Sequence, residues 1–350
     1  MESIYSYQKD ELVEFLAKNY YPAFRATQVY NWLYKKRIND PIRMLNLPIG
    51  LRSLLKDSFF WYLPLIRKQQ VSKLDATTKF LLEFADGKQV EAVLMYHMNK
   101  NNVKLRRTTV CISSQVGCPV GCTFCATGKM GFSRNLSAGE LVGQVMVAIE
   151  HLGDKMDNVV FMGMGEPLLN YEHVMKSIRI LIDDNGLNFS SRKITISTCG
   201  LVPEIKKLAN EGLPITLAIS LHAARNEIRS RIVPINRKYP LEQLLEAVKY
   251  FIATTNRKVT FEYVLIKDIN DSAEDARLLA ALLKNLLCNV NLIPTNPVHE
   301  GILHRPSLQT IENFVEVLKN VGIEAVVRAE KGTDIDAACG QLKIKSQLGK

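Results

Sequence analysis

From about residue 108 the chain alternates strand-like and helix-like segments, and this alternation constrains the fold more than any other feature. The runs TTVCISS, NVVFMGM, KITISTC, ITLAISLH, KVTFEYVLI and NVNLIPT are rich in β-branched and apolar residues. Each precedes a longer run, such as AGELVGQVMVAIEHLG or LEQLLEAVKYFIATT, with apolar residues at helical spacing. Six β-then-α units in succession demand parallel strands, because each helix carries the chain back to the same end of the sheet. A seventh strand-like run, EAVVRAE, follows. The count predicts an α/β fold built as a partial (βα)6 TIM-type barrel rather than a closed eight-unit one.

The preceding third of the chain has a different texture. ELVEFLAKNY, RATQVYNWLYKKR and LRSLLKDSFF read as short amphipathic helices, broken at Pro22 and at Asn46–Leu47–Pro48. KFLLEF and KQVEAVLMY then flank Asp86-Gly87, a strong hairpin signal. The expected organisation is a small N-terminal helical accessory domain over residues 1–60 and a β-hairpin linker over 61–103. A barrel with its C-terminal segment would follow over 104–350.

A hydrophobic fraction of 47% is ample for a buried core. The net charge of +10 favours an anionic partner, and nucleic acid leads, since each neutralised phosphate releases counterions. Basic clusters recur at Lys35–Lys36–Arg37, Lys104–Leu105–Arg106–Arg107, Arg192–Lys193, Arg225–Arg229–Arg231 and Arg237–Lys238. No run approaches membrane-spanning length, and the start lacks the pattern of an export signal. With an odd count of seven cysteines, this points to a cytoplasmic, reduced chain rather than a disulfide framework.

Cys118, Cys122 and Cys125 fall within the eight residues CPVGCTFC. Thiolates are soft ligands, and three in one short loop can converge on one metal centre. A structural zinc site needs four protein ligands, and the loop holds no fourth. The nearest candidates, Cys111, His97 and His151, lie outside it, so a zinc-containing RNA-binding protein would need a remote ligand. A cubane cluster on three thiolates instead keeps one iron open for an exogenous ligand, which reads as catalytic.

In parallel α/β folds, ligands gather at the loops after the strand carboxyl ends. The cysteine loop follows the first strand, and Gly163-Met164-Gly165-Glu166-Pro167 the second. Ser197-Thr198-Cys199-Gly200, Ser220-Leu221-His222 and Asn296-Pro297 follow the third, fourth and sixth. All are predicted to open onto one rim. Gly163 and Gly165 permit close approach of a ligand, or simply a tight turn. His222 reads equally as a hydrogen-bonded core histidine. Cys199 and Cys288 read as small apolar residues.

The blocks CISSQVGCPVGCTFCATGKMGFSRNL, FMGMGEPLLN, SLHA with IVPIN, and GTDIDAACGQL together resemble the RlmN/Cfr family of adenine methyltransferases, within the radical S-adenosylmethionine (SAM) superfamily. The resemblance covers nearly the whole chain. The triplet alone specifies the superfamily; with DIDAACGQL it specifies the family. It implies a [4Fe-4S] cluster on Cys118, Cys122 and Cys125, whose open iron binds SAM and allows formation of a 5′-deoxyadenosyl radical. It assigns Gly165, Glu166, Ser197, Ser220, Leu221, His222 and Asn296 to SAM binding.

The same resemblance gives the unusual step to two remote cysteines. Cys339 would take a methyl group by displacement from one SAM, and the radical from a second would activate it for addition to the base. Cys111 would attack the Cys339 sulfur and release the product, leaving a disulfide. Glu91 is implied as the base, with apolar neighbours that raise its pKa. The implied target is adenine carbon 2 in 23S rRNA and in tRNA, splayed into the barrel mouth. GEPLLN and NPVHEGILHRPS look more like the carbon 2 branch than the carbon 8 branch of the Cfr type. An electron donor such as flavodoxin or ferredoxin, a monomeric state and no membrane partner complete the expectation.

Overall fold

The computed structural model describes residues 1–98, 105–295 and 303–344. Helices α1 (Lys9–Lys18), α2 (Phe24–Tyr30) and α3 (Ile49–Ser58) form in the three predicted amphipathic segments. α1 opens on a capping box in which the Glu11 carboxylate accepts from the Gln8 N–H at 2.8 Å, and it buries Leu12 and Leu16. α2 runs on as a π turn over Asn31–Lys35, a departure from a single continuous helix. Strands β1 (Glu2–Ser3) and β2 (Phe59–Phe60) pair in parallel and tie the two ends of this segment together.

The hairpin forms as predicted, from β4 (Thr78–Glu83) and β5 (Gln89–Met98), with β3 (Leu65–Val71) antiparallel to β4 on its outer side. β3 has almost every residue exposed, so its sequence carries no burial pattern from which to read it. β5 pairs antiparallel with β6 (Leu105–Cys111), so the hairpin is a wing of the main sheet. A short ribbon of β7 (Gln115–Gly117) and β8 (Phe132–Asn135) then brackets the cysteine loop at its base.

The remaining strands are parallel to β6. They are β9 (Asn158–Phe161), β10 (Ile194–Thr198), β11 (Thr216–Ser220), β12 (Val259–Leu265), β13 (Cys288–Pro294) and β14 (Glu324–Val327). Their connections carry α4 (Ala138–Leu152), α5 (Tyr171–Ile182), α6 (Val202–Ala209), α7 (Asn226–Ile232), α8 (Leu241–Thr255), α9 (Ala273–Leu283) and α10 (Leu308–Asn320). The sheet order, β14-β13-β12-β11-β10-β9-β6-β5-β4-β3, leaves the barrel open, as the six-unit count predicts.

Within each parallel strand the residues alternate. Ile194, Ile196, Leu217, Ile219, Phe261 and Leu292 are fully buried, each contributing about 1.5–3 kcal/mol by leaving water. Thr195, Ser197, Thr216, Ser220, Thr260 and Glu262, on the same strands, face the concave side. Parallel sheets normally read as continuous apolar runs because both faces are packed. Polar residues at every second position mean that the concave side is a lined hollow.

The helical front docks on α4 and α5. The Gly139 N–H donates to Ser6 Oγ at 3.0 Å, and Lys176 Nζ meets Glu11 Oε1 at 2.7 Å. Arg134 of β8 reaches Asp86 of the hairpin turn at 2.7 Å and forks onto Glu140 of α4 at 2.8 Å, tying three elements through one guanidinium. No residue of 1–60 borders the hollow. Among the described residues, no helix is long and apolar enough to cross a membrane.

Candidate active site

Two cavities make up the hollow, one of about 160 Å³ at the strand carboxyl ends and one of about 640 Å³ below it. They share Met162, Glu262, Ile293, Arg328 and Cys339.

Cys118, Cys122 and Cys125 all border the smaller cavity. Burial pushes the Cys118 thiol up to about 12 and Cys122 higher still, with neighbouring thiols adding to both shifts. Such thiols give up their protons only when a metal supplies the opposing charge, so the donor set suits a soft metal centre. Among the described residues, no three His, Cys, Asp or Glu side chains converge on a point suited to a single ion. A cubane spaces its thiolates more widely than one zinc ion does. Nor do the remote zinc candidates join the loop. Cys111 and His97 border the larger cavity, and the His151 ring packs edge-on against Phe80 at 5.1 Å.

The strand-end residues mostly gather as predicted. Gly163, Gly165, Glu166, Ser197, Ser220 and His222 line the smaller cavity, and Ser197 Oγ lies 3.4 Å from Ser220 Oγ. At the glycines the close approach is to the chain itself. A Cβ on Gly163 would meet Ile112 O at 2.7 Å, and one on Gly165, whose φ is +103°, would meet Gln115 Cβ at 2.6 Å. The Glu166 carboxylate is spent inside the protein. Oε1 accepts from Leu168 N at 3.0 Å, and Oε2 from Cys199 N at 2.8 Å and Cys199 Sγ at 2.9 Å.

His222 takes a left-handed φ of +61° and is almost fully buried. Its Nδ1 accepts from Val264 N at 3.0 Å, and its ring meets Phe124 of the cysteine loop edge-on at 4.8 Å. Burial lowers its pKa to about 3, with Arg229 adding to the shift, so the ring is neutral and its proton sits on Nε2. Leu221 is fully buried and borders neither cavity; its carbonyl accepts from Arg229 Nε at 2.9 Å. Asn296 lies outside the described residues.

Arg229 departs from the surface role suggested by its basic cluster. It is fully buried, and it donates to Leu221 O at 2.9 Å, Asn236 Oδ1 at 2.8 Å, Cys199 O at 2.6 Å and Ser220 O at 3.2 Å. One guanidinium thus fixes the ends of β10 and β11, and burial lowers its pKa to about 10.

Cys339 reaches the junction of the cavities on a strap that returns over the cysteine loop. Gly340 O accepts from Ala126 N at 2.8 Å, and Leu342 O from Thr127 Oγ1 at 2.7 Å. Farther back, the Asp334 carboxylate accepts from Ser72 Oγ at 2.6 Å and Lys73 N at 2.9 Å. Cys111, at the end of β6, shares the wall of the larger cavity with Cys339. Burial pushes its thiol up to about 12, with Cys339 adding and Arg328 opposing. Charge interaction with Cys339 holds the Arg328 guanidinium well above its ordinary value.

Glu91 is buried beneath the strap and borders neither cavity. Oε1 pairs with Lys79 Nζ at 3.0 Å, and Oε2 accepts from Lys343 N at 2.8 Å. Burial raises its pKa, opposed by Lys79.

From the sequence alone, Glu262 and Arg328 have no site role, Cys199 reads as a small apolar residue and Arg229 falls in a basic cluster. Glu262 carried a signal, a lone acid within the apolar strand KVTFEYVLI. Arg229 carried none, since an arginine on an amphipathic helix normally reads as solvated.

Residues 112–280 match the family model of the Radical SAM superfamily, and residues 3–60 that of the Ribosomal RNA large subunit methyltransferase N-terminal domain. A "Probable dual-specificity RNA methyltransferase RlmN" from Clostridium botulinum (strain Eklund 17B / Type B) is 47% identical over 350 residues, covering 99% of each chain. The protein of that name from Thermotoga neapolitana is 48% identical over 349 residues, again 99% of each. A crystal structure of a radical SAM methyltransferase from Sphaerobacter thermophilus matches with a TM-score of 0.91 at 45% identity, covering 98% of this chain and 99% of that one. With identity of 47–48% sustained from end to end, the chain belongs to the RlmN family within the radical SAM enzymes, which use a [4Fe-4S] cluster and SAM.

Proposed function

We propose that this enzyme methylates carbon 2 of an adenine in 23S rRNA and in tRNA, with Cys339 as the methyl carrier and two SAM per turnover. The observation that carries the reading is the position of Cys339, which borders both the cavity of the three loop cysteines and the larger cavity of Cys111. A carrier must meet its methyl donor on one side and the base on the other.

Cys118, Cys122 and Cys125 would hold the [4Fe-4S] cluster, which with SAM supplies a radical able to abstract hydrogen. Gly165, Glu166, Ser197, Ser220, His222 and Asn296 would orient SAM, while Leu221, whose backbone is taken by Arg229 and Glu262, would only brace the strand end behind them. Cys339 as thiolate displaces the methyl group from one SAM, and its methylthio carbon is then activated for bonding to the ring. Glu91 takes the ring proton once the strap releases its carboxylate from Lys343. As that proton leaves, the unpaired electron left on the ring returns to the electron-donating system. Cys111 as thiolate then attacks the Cys339 sulfur, and the sulfur–carbon bond breaks. Its electron pair stays with the carbon, which takes up a proton to become the methyl group, and a disulfide forms.

Arg107, Arg192, Lys193 and Lys331 edge the larger cavity, as suits a base splayed in from an RNA backbone. A flavodoxin or ferredoxin would supply electrons to a cytoplasmic monomer. The test is anaerobic reconstitution with each RNA, nuclease digestion and mass spectrometry against standards. 2-Methyladenosine is expected. 8-Methyladenosine would move the assignment to the Cfr type, and no methyladenosine from cluster-loaded enzyme would sink it.

A further inference from the structure

Glu262 stands on β12 where the two cavities meet, 4% exposed. Its register neighbours are Ser220 of β11 and Asn291 of β13. Asn291 Nδ2 donates to its Oε1 at 3.0 Å. Oε2 is shut off from solvent and has no hydrogen-bond partner among the described residues. The Arg328 guanidinium stands 3.6 Å from it, near enough for charge and too far for a hydrogen bond. Buried acceptors are rarely left open in this way, because the lost hydration is not repaid. Glu262 itself lines both cavities, as Cys339 does.

A ligand that completes this site brings an N–H or O–H to Oε2 and an acceptor to Arg328. The amine-bearing edge of adenine has that pattern, a donor amine beside an acceptor ring nitrogen. Guanine carries a carbonyl oxygen where adenine has the amine, and two facing acceptors repel. We propose that Glu262, with Arg328 beside it, reads the exocyclic amine of the target adenine while Cys339 faces the carbon to be methylated. This rests on the proposed reaction and adds to it the group that selects the base. The ribose hydroxyls of SAM are rival donors, since Glu262 also borders the smaller cavity. Asn291, which holds the other oxygen, borders the larger cavity and not the smaller one, and this favours the base.

The test uses the reconstituted enzyme and RNA whose target nucleoside is either adenosine or purine riboside, which lacks only the amine. Wild-type kcat/KM should fall roughly 10- to 100-fold on the purine RNA, the usual range for losing a hydrogen bond to a charged group. In Glu262→Ala the adenosine-to-purine ratio should collapse, and in Glu262→Gln, which keeps an acceptor without the charge, it should fall part of the way. Comparing ratios cancels the intrinsic reactivity of the two rings. Equal wild-type rates on both RNAs would overturn the pairing whether or not the variants fold. So would an unmoved ratio in Glu262→Ala, and a rise confined to its KM for SAM would assign the carboxylate to SAM instead. A wild-type enzyme that methylates neither RNA would overturn the reaction itself, and the pairing with it.

Discussion

Glu166 and Glu262 are both buried carboxylates on the rim of one hollow, and they are finished to different degrees. Glu166 has both oxygens satisfied by the chain, through Leu168 and Cys199. Glu262 has one oxygen held by Asn291 and the other without a hydrogen-bond partner among the described residues. The difference extends to the cavities around them. At the cysteine end, His222 and Arg229 are also locked by hydrogen bonds within the protein. At the wider end, His97 Nε2 is buried without a hydrogen-bond partner among the described residues, and cationic side chains edge the opening. The narrow cavity is braced by hydrogen bonds within the protein. The wide one keeps buried polar atoms without partners among the described residues, which under the proposal above a substrate completes. Preorganisation suits radical chemistry, where a misplaced group costs rate, and open valences suit selection among bases.

The comparison breaks most decisively at the cysteines. Cys122→Ala should reduce SAM cleavage on the order of 10⁶-fold, to background, measured as 5′-deoxyadenosine. Cys339→Ala should keep its iron and its SAM binding while losing RNA methylation altogether. Equal defects in both variants would erase the division of labour between the cavities.

Glu91→Gln should slow RNA methylation by about 10²–10⁴-fold, the usual contribution of a general base. Burial raises the Glu91 pKa, so the base form fills only above the ordinary glutamate range, and the acid limb of the wild-type rate should lie above it. That limb should vanish in the variant. An unchanged limb would give the proton to another group.

Arg229→Met leaves several buried acceptors without their donor and should destabilise the fold by about 3–5 kcal/mol, seen as a lower urea midpoint. A loss within experimental error would contradict the bracing ascribed to the narrow end.

At the wide end single charges matter less. Arg192→Ala and Lys193→Ala should each lower the salt dependence of RNA binding by about one phosphate contact and leave stability within about 0.5 kcal/mol. An unaltered salt slope would move the RNA to another face.

The alternation of strands and helices was legible because each unit carries its own periodicity, and the Asp86-Gly87 hairpin was legible from its turn. β3 was not, since its pairing is set by β4 and its own residues are exposed. In the site, the cysteine loop and the strand ends could be read by position along the chain. Arg229 and the Glu262–Arg328 pair could not, because their roles arise from segments that meet only in the folded sheet. The predicted role of Glu91 met a carboxylate already occupied by Lys79 and Lys343 N, a state that depends on a strap about 250 residues farther along the chain.

The central claim, that Cys339 carries the methyl carbon to the base and Cys111 releases it, is tested most directly by Cys111→Ala reconstituted with SAM, reductant and RNA. After nuclease and protease digestion, mass spectrometry should find an adenosine joined to the Cys339 peptide through a one-carbon bridge. Free, normally methylated RNA with an unmodified Cys339 would contradict the account.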